Sequence, residues 1–253
     1  MKRNLFPFAL VAFIVLVFTS CQKESSDNPA TNSLKIKSYT EDIISSSFGN
    51  STTIYNLTYD SDDRLVSLAD ADNPGYKIVY AYPSSSNFTM DIFNNNVKDV
   101  HVSYFLNSQS LIDSSFQYNN YGDNMTEKYI YNSARQLTRL YQYDYTTNNG
   151  SVLYNTISYT YDGAGNMVKS EDNQQSSTYE YYTDKVNIMP QLVPTLAPAQ
   201  KVSLLKKATL IISGNVFGST TNTYTFDSKD RISTMRYDYS DGSVVTKTFT
   251  YFD

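Results

Sequence analysis

The chain has 253 residues, 15% of them aromatic and 18% charged, with 24 Tyr, no Trp, one His and one Cys. Such a length suits one large domain or two small ones, the aromatic and β-branched richness favours strands, and a single Cys excludes an internal disulfide. The formal net charge of −5 becomes −7 once Lys2 and Arg3 are set aside, which argues against a general affinity for nucleic acid or anionic lipid, and one His with one Cys argues against a zinc site built from them.

Residues 1–20 have the layout of a secretory signal peptide. Lys2 and Arg3 supply the positive start, Leu5 to Phe18 is an apolar run interrupted by Pro7, and Thr19 and Ser20 precede Cys21. The run is short for a membrane-spanning helix, which needs about 20 apolar residues. A lone cysteine at this place resembles the lipobox of bacterial lipoproteins, whose cysteine is acylated and becomes the first residue of the mature chain. Phe18 stands where Leu is usual and Ser20 where Gly or Ala is usual, a relaxed form similar to lipoboxes of Bacteroidota. The resemblance implies lipidation at Cys21, the membrane as partner through that lipid, and an outer-membrane address. Two acyl chains anchor stably where one binds marginally. An ordinary signal peptide with an incidental cysteine is the alternative.

Residues 21–33 read as a polar tether, with Ser25, Ser26, Asp27, Asn28 and Pro29. Its twelve residues after the cysteine reach at most about 40 Å. Lys23-Glu24 is similar to charged signals that send some Bacteroidota lipoproteins to the cell surface. Both the periplasmic and the surface side stay open.

From residue 34 the hydrophobic period is two. Ile157, Tyr159 and Tyr161 alternate with Thr156, Ser158 and Thr160, and Tyr141, Tyr143 and Tyr145 alternate with Gln142 and Asp144. Alternation of this kind predicts antiparallel strands with one buried and one wetter face. Two kinds of turn separate them. One is a recurring unit: an aromatic, usually Asp or Asn next, turn residues, and an aliphatic or Met six places after the aromatic. Its copies run Tyr59 and Asp60 to Leu65, Phe105 to Leu111 with Leu106 in the acidic slot, Tyr131 and Asn132 to Leu137, Tyr161 and Asp162 to Met167, and Phe226 and Asp227 to Ile232. Weaker echoes run Tyr82 to Phe88 and Tyr182 to Ile188. The Asp or Asn closes an Asx turn on its own backbone. The other kind is Gly-based, at Gly49-Asn50, Asn149-Gly150 and Asp241-Gly242. Alternation of the two predicts an up-and-down meander whose repeat holds two strands and two turns.

The unit resembles the YD repeat of RHS-type proteins. Tyr59-Asp60 with Arg64-Leu65, and Phe226-Asp227 with Arg231-Ile232, match it best, while most copies lack the usual Gly. RHS shells are far longer than this chain, so no closed capsule around a toxin is implied.

Residues 186–199 break the period with Pro190, Pro194 and Pro198 among Met189, Leu192, Val193 and Leu196. They predict an irregular stretch over 186–207 that crosses one sheet face and ends in a short helical turn near 202–207. Closing strands are expected near 208–212, 220–226, 232–239 and 244–252. Tyr181 to Asn187, the irregular stretch, Leu204-Leu205-Lys206-Lys207 and a final hairpin are similar to uncharacterised Bacteroidota lipoproteins with the domain of unknown function 4595, over most of residues 34–253. No activity comes with that resemblance.

No catalytic constellation stands out. His101 lies in an alternating strand on the face opposite Val100, Val102 and Tyr104, where a satisfied strand histidine is expected. Asp70 to Gly75 has Gly at the sixth place of a calcium loop but Ala81 at the twelfth, so it reads as an acidic turn. Rows of Tyr serve either as a packed sheet face or, if exposed, as a platform for sugar rings. The expected fold is all-β, one domain over 34–253, a large twisted antiparallel up-and-down meander of YD-like hairpins with one Pro-rich covering segment. The expected function is non-enzymatic: a lipid-anchored envelope binding or interaction module without cofactor or metal, for a glycan, protein or apolar ligand. A carrier or chaperone holding an apolar ligand is the alternative, and a hydrolase a lesser one.

Overall fold

Strict alternation becomes sixteen strands in the computed structural model, which describes residues 35–45, 47, 49–120, 124–146, 150–187 and 203–252. They are β1 (Ile36–Ile44), β2 (Ser51–Tyr59), β3 (Leu65–Asp70), β4 (Lys77–Ser84), β5 (Asn87–Asn94), β6 (Val97–Leu106), β7 (Ile112–Asn119) and β8 (Asn124–Tyr131). The second half holds β9 (Leu137–Thr146), β10 (Gly150–Tyr161), β11 (Met167–Glu171), β12 (Gln175–Val186), β13 (Ser203–Ile212), β14 (Asn215–Phe226), β15 (Ile232–Tyr239) and β16 (Val244–Tyr251). Every strand pairs antiparallel with its chain neighbours, and β1 pairs with β16 from Ile36↔Tyr251 to Ile44↔Val244, so the meander closes into a barrel. Closure removes both sheet edges, which an open sheet of this size would leave unpaired.

One expectation fails here. Ser203 to Lys207 is the start of β13, not a helical turn. The spacing of Leu204 and Ala208, four residues, fits a helix and also fits two strand repeats. Partners on both sides decide it: Leu205 pairs with Tyr181 and Lys207 with both Glu180 and Thr221. β12 likewise continues to Val186, inside the stretch expected to be irregular. The proline-bearing residues 188–202 lie outside the described residues, as do Cys21, the leader and the tether.

The barrel wall has an unusual polarity. Inward residues form two clusters. Ile36, Leu57, Leu65, Leu204, Ile232, Met235 and Phe249 make one, and Phe88, Ile112, Tyr129, Leu137 and Leu140 the other, with Tyr80 packed against both. On β1, β15 and β16 many outward residues are short and polar, whereas on β6, β7 and β9 the outward face also carries Phe105, Tyr118, Tyr141, Tyr143 and Tyr145. Thr40, Thr248 and Thr234 follow one another across β1, β16 and β15, and outward hydroxyls meet in pairs such as Ser38 with Thr250 (2.6 Å) and Thr225 with Thr234 (2.6 Å). A membrane-spanning barrel has the opposite arrangement, an apolar band outside and a polar lumen.

Candidate functional site

The barrel has two unlike ends, and the chain alternates between them. One end carries all five recurring turns together with the start of β1 and the end of β16. In each turn the Asx residue donates its amide to the carbonyl four places on: Asp60 to Arg64 (2.9 Å), Asn107 to Leu111 (2.8 Å), Asn132 to Gln136 (2.9 Å), Asp162 to Asn166 (2.9 Å) and Asp227 to Arg231 (2.8 Å). Its side-chain oxygen accepts that residue's amide in return, at 2.8 to 3.1 Å. The residue three places after the Asx is left-handed in every copy: Asp63, Ser110, Arg135, Gly165 and Asp230. Only one of these is the glycine that such a φ favours.

The second copy needs a correction. Its frame is Leu106-Asn107 to Ile112, one residue later than the expected Phe105 to Leu111, because Leu106 pairs with Ile112 across the turn and Asn107 makes the Asx contacts. An oxygen acceptor is the part of the unit that cannot be replaced, whereas the aromatic can become Leu. Phe105 points outward and is exposed, and Leu111 is buried.

Each turn is followed by a register shift, and the aromatic residues answer it. A bulge withdraws a carbonyl from the ladder, and a buried carbonyl needs a donor. Seven tyrosines reach back to the carbonyl at the preceding shift: Tyr59 to Ile36, Tyr82 to Leu65, Tyr131 to Ile112, Tyr161 to Leu137, Tyr181 to Met167, Tyr224 to Leu205 and Tyr251 to Ile232, at 2.7 to 2.9 Å. At the last echo it is therefore Tyr181 that fills the repeat position. Tyr182 instead donates to the Asn222 carbonyl (2.9 Å), and Ile188 lies outside the described residues. Arg64 and Arg231 show why Arg precedes the aliphatic. Each holds its Asp through Nε at 2.7 Å and lies 4.4 Å over the next tyrosine of the series, Tyr82 or Tyr251. Burial raises Asp60 and Asp227, but hydrogen bonds from the Arg side chains and turn amides outweigh it and hold both carboxyls below their ordinary value. The recurring-turn residues thus carry structure at this end.

The other end carries the hairpin turns, which share no common form. Asn95-Asn96 and Ser213-Gly214 are two-residue turns with φ positive at both positions. Asp241-Gly242 turns as expected, with the Gly242 amide on the Tyr239 carbonyl (3.0 Å), whereas residues 147–149 lie outside the described residues. Asp70 to Gly75 is an acidic turn, its Asp70 carboxylate taken by the amides of Asp72 (2.9 Å) and Asn73 (3.1 Å).

His101 is on the outer wall, on the face opposite Val102, as the alternation requires. Its Nδ1 is 2.5 Å from Asp91 Oδ1 and its Nε2 3.0 Å from Ser103 Oγ, while Lys98 holds the other Asp91 oxygen at 2.7 Å. The order Asp, His, Ser is that of a hydrolase relay. Its surroundings are not. The wall is open, β6 is paired on both sides so its amides are committed to the ladder, and no pair of donors converges on a point beside Ser103 among the described residues.

The inner wall near the hairpin end is polar and closed on itself. Glu127 accepts from Ser115 (3.1 Å), Tyr129 and Gln142 (2.9 Å), and Asn155 bonds Gln142 (3.0 Å) and Asp172 (3.5 Å). Beside it is a depression of about 70 Å³ lined by Ile157, Ser170, Asp172 and Gln175. Ligand pockets for small molecules are of order 300–1,000 Å³. The tyrosine rows divide between the faces. Tyr159 and Tyr161 turn inward, while Tyr141, Tyr143 and Tyr145 turn outward because their neighbours Leu140 and Gln142 belong to the interior.

No family model matches the sequence, and no curated protein matches it. Solved structures do. The chain is similar to a porin-like protein from Bacteroides uniformis, with a TM-score of 0.59 and 13% identity over 87% of this chain and 98% of that one. It is similar also to a porin-like protein from Bacteroides vulgatus, with a TM-score of 0.59 and 10% identity over 87% and 99%. The likeness is one of fold. A likeness to TcdB2-TccC3 has a TM-score of 0.33 and 12% identity, over 75% of this chain and 13% of that one.

Proposed function

We propose that this chain is a lipid-anchored cell-envelope β-barrel, held to the outer membrane through Cys21 and acting as a non-enzymatic binding or interaction module. The observation that carries the reading is the polarity of the wall. Aliphatic and aromatic side chains pack most of the inside, while the outside carries hydroxyl and charged side chains such as Thr40, Thr248, Asp91, Lys98 and Arg236, with tyrosines such as Tyr141 and Tyr145 between them; this wall suits water beside a membrane better than a lipid interior. A water-soluble barrel with an address at the membrane needs a separate anchor, and the leader ending at Cys21 supplies one. The fold of the porin-like Bacteroides proteins is compatible with an envelope location. The recurring turns are read as diverged YD repeats, and the kinship with lipoproteins of the domain of unknown function 4595 rests on the short motifs near residues 181–207.

The carrier reading gains little from the small depression, and the hydrolase reading little from a relay on an open wall. Metabolic labelling with a palmitate analogue tests the anchor in wild type and Cys21→Ala, combined with protease shaving of intact cells. Label lost in the variant is expected. Removal by shaving assigns the surface, and resistance the periplasmic side. Equal or absent label in both proteins would sink the lipoprotein reading.

A further inference from the structure

The two ends differ in surface chemistry as sharply as in turn geometry. Among the described residues, eleven of the fourteen exposed large hydrophobic residues lie in the hairpin turns or within the adjoining five strand residues, including Ile44, Val97, Leu153, Tyr154, Val216 and Phe217. Val216 is 69% and Phe217 74% exposed, at the tip of the β13–β14 hairpin. Charge is uneven too. Counting only the described residues of the turns and the three nearest residues of each strand, the hairpin end holds nine acids, Asp70, Asp72, Asp99 and Asp241 among them, against three bases. By the same count the recurring-turn end holds eight acids and nine bases, with Lys169 of the short β11 entering both. Among the described residues the hairpin end therefore carries a net charge of −6 by this count, against +1 at the recurring-turn end.

From this rim we infer a docking surface for a cationic amphipathic polypeptide, one that presents Lys or Arg beside apolar side chains. Exposed apolar side chains gathered on one edge mark an interaction site. The acids choose the occupant. An anionic bilayer would be repelled, and a second copy would bring a like-charged rim against this one. A basic, apolar segment satisfies both features at once: its apolar face covers the adjacent Val216 and Phe217, and its cations meet carboxylates of the same rim. Topology agrees with this on the reading that Cys21 is lipidated. The chain enters β1 at the recurring-turn end, beside Lys35, so the rim is at the end of the barrel opposite the point where the anchored segment joins it.

The test uses the full chain in non-ionic detergent and fluorescence anisotropy of a synthetic Lys/Leu amphipathic helical peptide. Two further peptides are compared, one with Ser for every Leu and one with Glu for every Lys. Wild type is expected to bind the Lys/Leu peptide at least about tenfold more tightly than either control. The double variant Val216→Ser/Phe217→Ser should lose at least about tenfold of that affinity, and Asp70→Asn/Asp72→Asn a smaller part that vanishes at high salt. Phe226→Ser, at the other end, should bind as wild type does. Circular dichroism confirms that each variant is folded. Equal affinity for all three peptides, equal affinity of the rim variants and wild type, or a dimer that the rim double variant dissociates would each overturn the proposal. Binding is read in detergent and does not depend on the anchor. A failure here leaves palmitate labelling at Cys21 untouched, and a failure of labelling leaves the rim result untouched.

Discussion

The recurring-turn end and the hairpin end are built from the same strands, yet one is uniform and the other varied. At the first, five Asx turns have one geometry, seven tyrosine hydroxyls close the carbonyls that the bulges release, and charges balance. At the second, turns differ in length and form, apolar side chains face water and acids predominate. Uniformity follows from a single physical demand repeated around a ring: each bulge needs a donor, and each turn needs an acceptor for two amides. Once that end fixes the register of neighbouring strands, the opposite ends are free to vary. The molecule separates what holds it together from what it presents.

Substitutions can break this contrast, and the largest effect should come from the buried side chains just beyond the recurring turns. Ile232 is 1% exposed, and Ile232→Ala should cost about 2–5 kcal/mol in denaturant unfolding. Phe217→Ala should change stability by less than about 0.5 kcal/mol, since that side chain already faces water. Equal costs at the two positions would erase the distinction.

Alkaline unfolding comes next. Burial pushes the phenols of Tyr80 and Tyr224 up to about 12, and burial together with neighbouring charge raises Tyr104 and Tyr237 further. A phenol whose folded value exceeds its unfolded value stabilises fully below about pH 10, and the contribution falls as pH rises through the folded value. Each such group removes about 1.4 kcal/mol per pH unit in that window. Tyrosinate absorbance and the loss of β-sheet circular dichroism should therefore rise together above pH 10. Ionisation of most tyrosines while the sheet stays intact would contradict the burial of these rows.

Smaller effects sharpen the comparison. Tyr161→Phe leaves the Leu137 carbonyl without its donor and should cost about 1–2 kcal/mol, whereas Tyr145→Phe on the outer wall should cost less than about 0.5. The smallest change is a gain. Asp230→Gly relieves a left-handed φ of 58 and should raise stability by up to about 1 kcal/mol, and Gly165→Ala should lower it by a similar amount. The hydrolase alternative has its own readout. Ser103 should stay unlabelled by a fluorophosphonate probe, and labelling lost in Ser103→Ala would revive it.

Much of the fold was legible because period-two alternation and Asx turns are local. Tyr161-Asp162 and Asn166-Met167 announce strand, turn and strand without any tertiary information. Four things were not. Closure depends on β1 meeting β16 across the whole chain, and no local pattern in Ile36 to Ile44 records it. The direction of a tyrosine row is set by its neighbours: Tyr141 and Tyr159 look alike in sequence, but Leu140 claims the interior beside the first. The frame of the second turn was hidden because Phe105 is a better aromatic than Leu106, although Asn107 rather than Leu106 can accept two amides. The rim was missed for a simpler reason. Its residues are scattered from Ile44 to Asp241 and meet only because every hairpin turn ends up on one side.

The central claim is a water-exposed barrel wall held to the membrane by its N-terminal segment alone. A specific protease site placed in the tether, between Pro29 and Ser33, allows the most direct measurement: cleavage in washed membranes, followed by alkaline extraction and centrifugation. The account predicts that the cleaved barrel leaves with the soluble fraction and keeps its β-sheet circular dichroism. A cleaved barrel that stays in the extracted membrane pellet would contradict it and would put the wall itself in the bilayer.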